Sequence, residues 1–136
     1  MRIHEFFPAV SDWTYIFNQT GEPSVIYNRA LAYMGLNDQE SGRKDLEQVL
    51  EMEPENMNAY YYMGLSYERS YEHRQAMKWW KDLLKFDPDD HRAQYQLAAD
   101  LVKRGRIKKG CRMLATAREN GYTMTAEDDE FFSECK

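Results

Sequence analysis

Two prolines, Pro54 and Pro88, stand 34 residues apart, and each closes a segment patterned like an amphipathic helix. No other feature constrains the fold as much. Between them Tyr60, Met63, Gly64 and Tyr67 recur at i, i+3, i+4 and i+7, the stripe of one helix face. Ala76, Trp80, Leu83 and Leu84 form a second stripe after a short polar turn, and Asp87-Pro88 ends it. The unit is a pair of helices, each needing a neighbour for its apolar stripe.

The design recurs on both sides. Ile26, Ala30 and Tyr33 mark a helix after Gly21-Glu22-Pro23, Asn37-Asp38 supplies a turn, and Leu46, Val49 and Leu50 mark the partner helix before Pro54. Downstream, Asp89-Asp90 suits a helix N-terminus, since carboxylates there accept from free amides and oppose the dipole. Leu97, Ala98 and Leu101 follow, then Gly105 as a left-handed stop, then Ile107, Cys111, Leu114 and Ala117, with Gly121 as the next stop. Thr125 to Asp128 reads as a capping box with Asp in its fourth place, opening a short helix that contains Phe131 and Phe132. Residues 1–22 are rich in aromatics (Phe6, Phe7, Trp13, Tyr15, Phe17), with Pro8 in the first turn of a helix expected to run to about Asn18.

Tyr60-x2-Met63-Gly64-x2-Tyr67, followed by Ala76-x3-Trp80 and Pro88, resembles the tetratricopeptide repeat. Its small residues let paired helices approach and its aromatics fill the gaps between neighbours. The preceding unit matches at Ala30, Tyr33, Leu46, Val49 and Pro54, with Gly42 where the second helix usually carries alanine. The following one is the most divergent: Gln94 replaces the first aromatic, Gly110 the small alanine, and no proline closes it. The resemblance covers residues 23–122 and implies an all-α, right-handed superhelical stack of three helix pairs (23–56, 57–90, 91–122). An N-terminal capping helix (1–22) and a C-terminal one (123–136) are expected to cover its open ends. A helical bundle without repeat logic is the competing architecture, and three coincident registers argue against it.

At 136 residues the chain is expected to form one ordinary domain, and 43% hydrophobic with 30% charged residues is a globular balance. A net charge of -5 argues against a general nucleic-acid binder. No apolar run is long enough for a membrane span, and the N-terminus lacks the apolar core of an export signal. Cys111 and Cys135 are the one pair available for a disulfide, too few for a disulfide framework, so a cytoplasmic location is expected. Cys111 falls on an apolar stripe as a small core residue.

In such a stack the first helices of successive repeats line a concave groove, and the groove residues lie one step around from the inward stripe. Tyr27, Tyr61 and Tyr95 then fall in strict 34-residue register, a ladder of amphipathic anchors of a type enriched at binding hot spots. Packing of these rings between adjacent first helices is the alternative. Around the ladder lie Leu31 and Leu65, the amides Asn28, Asn58 and Gln96, and the cations Arg69, Arg92 and Lys103, suited to a peptide backbone and its carboxylates. Some tetratricopeptide domains grip a chaperone's C-terminal carboxylate with lysines, asparagines and an arginine. Here Tyr27, Leu31 and Tyr62 stand in clamp places, so the expected ligand is an apolar peptide or partner helix. Its identity is not legible.

Two other uses are open. The aromatic N-terminus, through Trp13 and Phe17, makes homo-oligomeric assembly an alternative function. The run Lys103-Arg104-Gly105-Arg106-Ile107-Lys108-Lys109 makes RNA or an acidic ligand a further one, although it lacks aromatics for base stacking. Residues 69–112 hold twelve Lys or Arg against six Asp or Glu, so this region is net positive while the rest is strongly negative. Catalysis and cofactors are not expected. His4, His73 and His91 stand apart from each other and from cysteine, and no phosphate loop or hydrolase motif occurs. Trp79, beside Trp80, is a candidate exposed contact.

Overall fold

The computed structural model describes residues 6–135, with side chains from Val10 onward, so His4 and the side chains of Phe6 and Phe7 lie outside it. The described residues form helices α1 (Phe6–Thr20), α2 (Pro23–Gly35), α3 (Gln39–Met52), α4 (Met57–Arg69), α5 (His73–Phe86), α6 (His91–Lys103), α7 (Ile107–Glu119) and α8 (Ala126–Phe131), then a 3-10 turn at Ser133–Cys135. The fold is all-α. The chain divides into two compact units, Met1–Ala76 and Met77–Lys136. In the first, α1 packs on α2, α2 on α3, and α3 on α4; in the second, α6 packs on α7, which also meets the closing turn.

The 34-residue spacing is a backbone property. Asn37, Tyr71 and Gly105 all take positive φ, at 64°, 62° and 80°. One residue later in each turn, the N–H of Asp38, Glu72 and Arg106 donates to the carbonyl of Tyr33, Tyr67 and Leu101, each at 2.9 Å. These are the six-residue bonds of the Schellman motif, which satisfies the last carbonyls of a helix and turns the chain back. Tyr122 closes α7 on Ala117 in the same way, after Gly121. Tyr71 is the exception among these turn residues, because a side chain in the left-handed region costs about 1–2 kcal/mol, and its ring is 96% exposed.

Caps obey the same register. Asn56 accepts from the Ala59 amide, and Asp90, 34 residues on, accepts from the amides of Arg92 and Ala93. Thr125 and Asp128 form the expected capping box at α8. The expected stripes are buried, with Ile26, Ala30, Leu46, Val49 and Met63 in the first unit and Trp80, Leu83, Leu97, Leu114 and Ala117 in the second.

The two glycines that depart from the repeat pattern have a steric cause. A Cβ at Gly42 would lie 2.8 Å from Met34 Cγ and 3.2 Å from the Ala30 carbonyl oxygen. At Gly110 it would lie 2.7 Å from Val102 Cγ2 and 3.1 Å from the Ala98 oxygen. Both pairs, α2 with α3 and α6 with α7, therefore pack closer than alanine allows.

Arg29 joins three helices. Its guanidinium makes a two-pronged bond to Asp45 of α3 at 2.7 and 2.8 Å and donates to Thr14 Oγ1 of α1 at 3.3 Å. It also lies 5.9 Å from the ring centroids of Phe17 and Tyr33. The hydrogen bond to Asp45, opposed by burial, raises the Arg29 pKa further, so the guanidinium is charged at every working pH. On α1, Trp13 and Phe17 are half-buried, while Tyr15 is 68% exposed.

The cysteines differ from expectation. Cys111 and Cys135 are joined in a disulfide across 24 residues, which ties the closing turn to α7. The expectation failed because Cys135 lies beyond the repeats, where periodicity carries no information about its neighbours.

Gly110→Ala is expected to lower stability by about 1–2 kcal/mol. Overpacking against the stiff Val102 and a carbonyl outweighs the roughly 1 kcal/mol gained from alanine's helix propensity. Urea unfolding checks this; an unchanged or raised midpoint would mean that the helices part freely.

Candidate functional site

In the first unit, α2 presents Tyr27, Asn28 and Leu31, and α4 presents Asn58, Tyr61, Leu65 and Arg69. The Schellman turn at Asn37 returns the chain so that α3 packs on α2, and α4 packs on α3 in turn. Tyr27 and Tyr61 are both half-buried and are joined through a third ring. Tyr62 meets Tyr27 edge-on at 5.9 Å and Tyr61 edge-on at 5.2 Å. The three rings form one patch, flanked by half-buried Leu31 and Leu65 and by exposed Asn58 and Arg69. Tyr62 was not among the expected ladder residues. Its signal was its position one residue past Tyr61, which brings it about 100° around the helix, toward α2.

Close by, Arg43 of α3 lies 4.5 Å over the Tyr67 ring and donates to the Ser66 carbonyl and Ser70 Oγ at 3.3 and 3.2 Å. This fixes the far side of α4. His73 pairs with Glu68 at 2.7 Å, closing the α4–α5 turn.

In the second unit the expected residues separate by role. Tyr95, Gln96 and Lys103 line a cleft of about 370 Å³ whose opposite wall is Glu127, Asp128 and Phe131 of α8. Arg92 instead turns back on its own N-cap, bonding Asp90 at 2.9 Å, and serves the helix start. Tyr95 is engaged from several sides. Its hydroxyl donates to Asp128 at 2.5 Å, its ring stacks on Tyr122 at 4.3 Å, and it meets Phe132 edge-on at 5.9 Å. Phe132, 3% exposed, joins Ala98 and Leu114 in the local core. The third tyrosine of the register, half-buried like the other two, thus packs against the chain's own C-terminal segment.

Asp128 is the polar centre of that segment. It accepts from Tyr95, from Tyr122 at 2.6 Å and from the Thr125 amide at 2.9 Å. Burial disfavours the ionised carboxylate, but the hydrogen bonds from Tyr122, Tyr95 and Thr125 outweigh it and hold the pKa below the ordinary 3.8. Burial and the same carboxylate push the Tyr122 phenol far above its usual 10.0, so it stays a neutral donor.

In the basic run, Lys103, Arg104, Arg106, Lys108 and Lys109 are all exposed. Arg104 is held by Asp100 at 3.1 Å, and Lys103 Nζ lies 5.9 Å over Phe131. Trp79 is half-buried. Among the described residues no three His, Cys, Asp or Glu side chains group to hold a metal. No helix of these residues is long and apolar enough to cross a membrane.

The family model described as Tetratricopeptide repeat matches residues 23–56. Solved structures agree over most of the chain. The Sgt2 TPR domain from Aspergillus fumigatus superposes with a TM-score of 0.69 at 16% identity, covering 85% of this chain and 78% of that one. The matched segment is a tetratricopeptide repeat, and the likeness of fold extends over most of the chain. A MamA structure gives a TM-score of 0.70 at 17% identity over 82% of this chain, which spans 66% of that one, just under two thirds. YrrB, described as a TPR protein with an unusual peptide-binding site, gives 0.65 at 15% identity over 88% of this chain and 62% of its own. At these identities the likeness is one of fold. No curated protein matches the sequence.

Because the folded pKa of Asp128 is depressed, its contribution to stability is complete above the ordinary carboxylate range and is lost as pH falls from about 4 through the folded value. Acidification is expected to erase the near-ultraviolet dichroism of the Tyr95–Tyr122 stack before the helical signal falls. Asp128→Asn should cost about 2 kcal/mol in that segment, from lost charge-assisted bonds, and remove the early acid step. An Asn variant with the parental acid profile would contradict this assignment.

Proposed function

We propose that this tetratricopeptide-repeat protein is a non-catalytic adaptor that binds a peptide or a partner helix on the first-helix face of α2 and α4. The observation that carries the reading is the tyrosine patch, in which Tyr62 joins Tyr27 and Tyr61 edge to edge. Tyrosine suits a contact surface because its ring buries much area at little entropic cost, while the hydroxyl bonds a backbone or water. Half-burial supports this use: the rings are held in place by one another and retain exposed edges. Leu31 and Leu65 add apolar contact, and the exposed Asn58 and Arg69 can meet an amide and a carboxylate.

The repeat architecture and the peptide-binding site named for YrrB support a peptide-sized ligand. The acidic balance of the first half favours a ligand without excess negative charge, with Arg69 offering the local cation. We place the protein in the cytoplasm, where a lone disulfide serves regulation more often than structure.

The test is affinity capture with the intact protein beside a Tyr27→Ala, Tyr61→Ala, Tyr62→Ala variant whose circular dichroism stays helical. The variant is expected to lose its partner at least about tenfold, as a hot-spot cluster does. Recovery of the same partner at equal yield would remove the reading.

A further inference from the structure

The C-terminal segment occupies the third repeat as a ligand would. It is anchored at two points four residues apart: the Asp128 carboxylate, which accepts from Tyr95 and Tyr122, and the buried Phe132 ring, against Ala98 and Leu114. On a helix, positions i and i+4 share one face. Asp128 begins that face within α8, and Phe132 caps the helix C-terminus with its amide on the Asp128 carbonyl at 2.8 Å. Beyond it the Ser133–Cys135 turn carries the bond to Cys111 of α7. The covalent link is therefore at the far end of the segment, and Gly121 with the Tyr122 turn holds its other end.

We propose that the face of α6 and α7 beneath residues 125–135 is a second docking surface, for a partner helix that presents a carboxylate and, four residues on, a phenylalanine, and that the Cys111–Cys135 disulfide keeps it closed. The surface is defined by its present occupant. Tyr95 and Tyr122 offer two hydroxyl donors to one carboxylate, and Ala98 and Leu114 form the floor for one aromatic ring. The inference uses the adaptor reading for its biological consequence and stands or falls on different residues.

Opening is a balanced exchange. One thiolate of a cellular dithiol attacks a sulfur of the disulfide, forming a mixed disulfide and releasing the other cysteine as a thiol. The second thiol of the reductant then displaces it, so the reductant leaves as a disulfide and the protein gains two electrons and two protons as Cys111 and Cys135 thiols. Closing a loop of 24 residues biases the closed state by roughly two orders of magnitude, by the loop-entropy account. After reduction the segment is held only by non-covalent contacts, with Asp128 and Phe132 the principal anchors. Those contacts still act at high effective concentration, so a partner competes with the tethered segment and does not meet an empty face.

The test uses the full chain, oxidised, reduced with dithiothreitol, and as Cys135→Ser. Hydrogen exchange at residues 126–132 reads the opening, and the expected change on reduction is at least about tenfold faster exchange, with α2 to α4 unaffected. The probe for docking is a fluorescein-labelled synthetic peptide of residues 123–136 carrying Cys135→Ser. Its anisotropy should report binding to the reduced and Cys135→Ser chains at least about tenfold tighter than to the oxidised chain, and Asp128→Asn or Phe132→Ala in the peptide should abolish it. Unchanged exchange on reduction overturns the latch. A peptide that behaves alike toward oxidised and reduced protein, or that ignores its own substitutions, overturns the docking surface. Neither result touches the Tyr27–Tyr62–Tyr61 patch, which partner capture tests separately.

Discussion

Close contact within the helix pairs is the constraint on which the rest of this structure depends. At Gly42 and Gly110 one helix runs so near its partner that a single added carbon would meet a side chain and a backbone oxygen. That proximity leaves the paired faces dry and turns the other face of each first helix outward. The Schellman turns at residues 37 and 105 return the chain into these two pairs. The candidate face of α2 lies on the side away from this contact.

Where the chain departs from its own pattern, the departures carry information. Tyr71 holds a left-handed backbone position that Asn37 and Gly105 fill at lower cost, and its ring stands almost wholly in water. The position tolerates that strain because the bonds of the flanking turn fix it from both sides. Arg29 and Asp45 place a charged pair between α2 and α3 and reach α1 through Thr14, so the first helix is held by polar geometry as well as by Trp13 and Phe17. With side-chain exposures of 18% and 7%, this pair is costly to break on one side only, because the remaining charge would stay desolvated.

The architecture was legible because every element of it is local or periodic. Pro54, Gly64, Ala76 and Gly105 announce turns, stops and close approaches within one repeat, and the stripes through Ile26, Met63, Trp80 and Leu114 state which faces are inside. The site was legible only in part. Tyr27, Tyr61 and Tyr95 share a register and are all half-buried, yet their neighbours differ, since Tyr62 joins the first two and the C-terminal segment packs against the third. Asp128 announced itself as a cap and proved also to be the acceptor for two tyrosines, one of them 33 residues away. The disulfide and the Arg29–Asp45 pair depend on which residues meet across the fold, a distance that periodicity does not encode. Arg92 looked like a groove cation because its number fits, but the nearer Asp90 carboxylate claims it.

The tyrosines of the two units therefore have different neighbours: other tyrosine rings on α2 and α4, and the C-terminal segment on α6. The first is where we propose that a partner is met. Site-specific photocrosslinking tests it most directly, with benzoylphenylalanine placed at exposed Asn58, beside the patch, or at exposed Glu47 on the second helix α3. A partner seated on the patch should give an adduct from position 58 and none from position 47. Adducts from position 47 alone, or equal adducts from both, would contradict it.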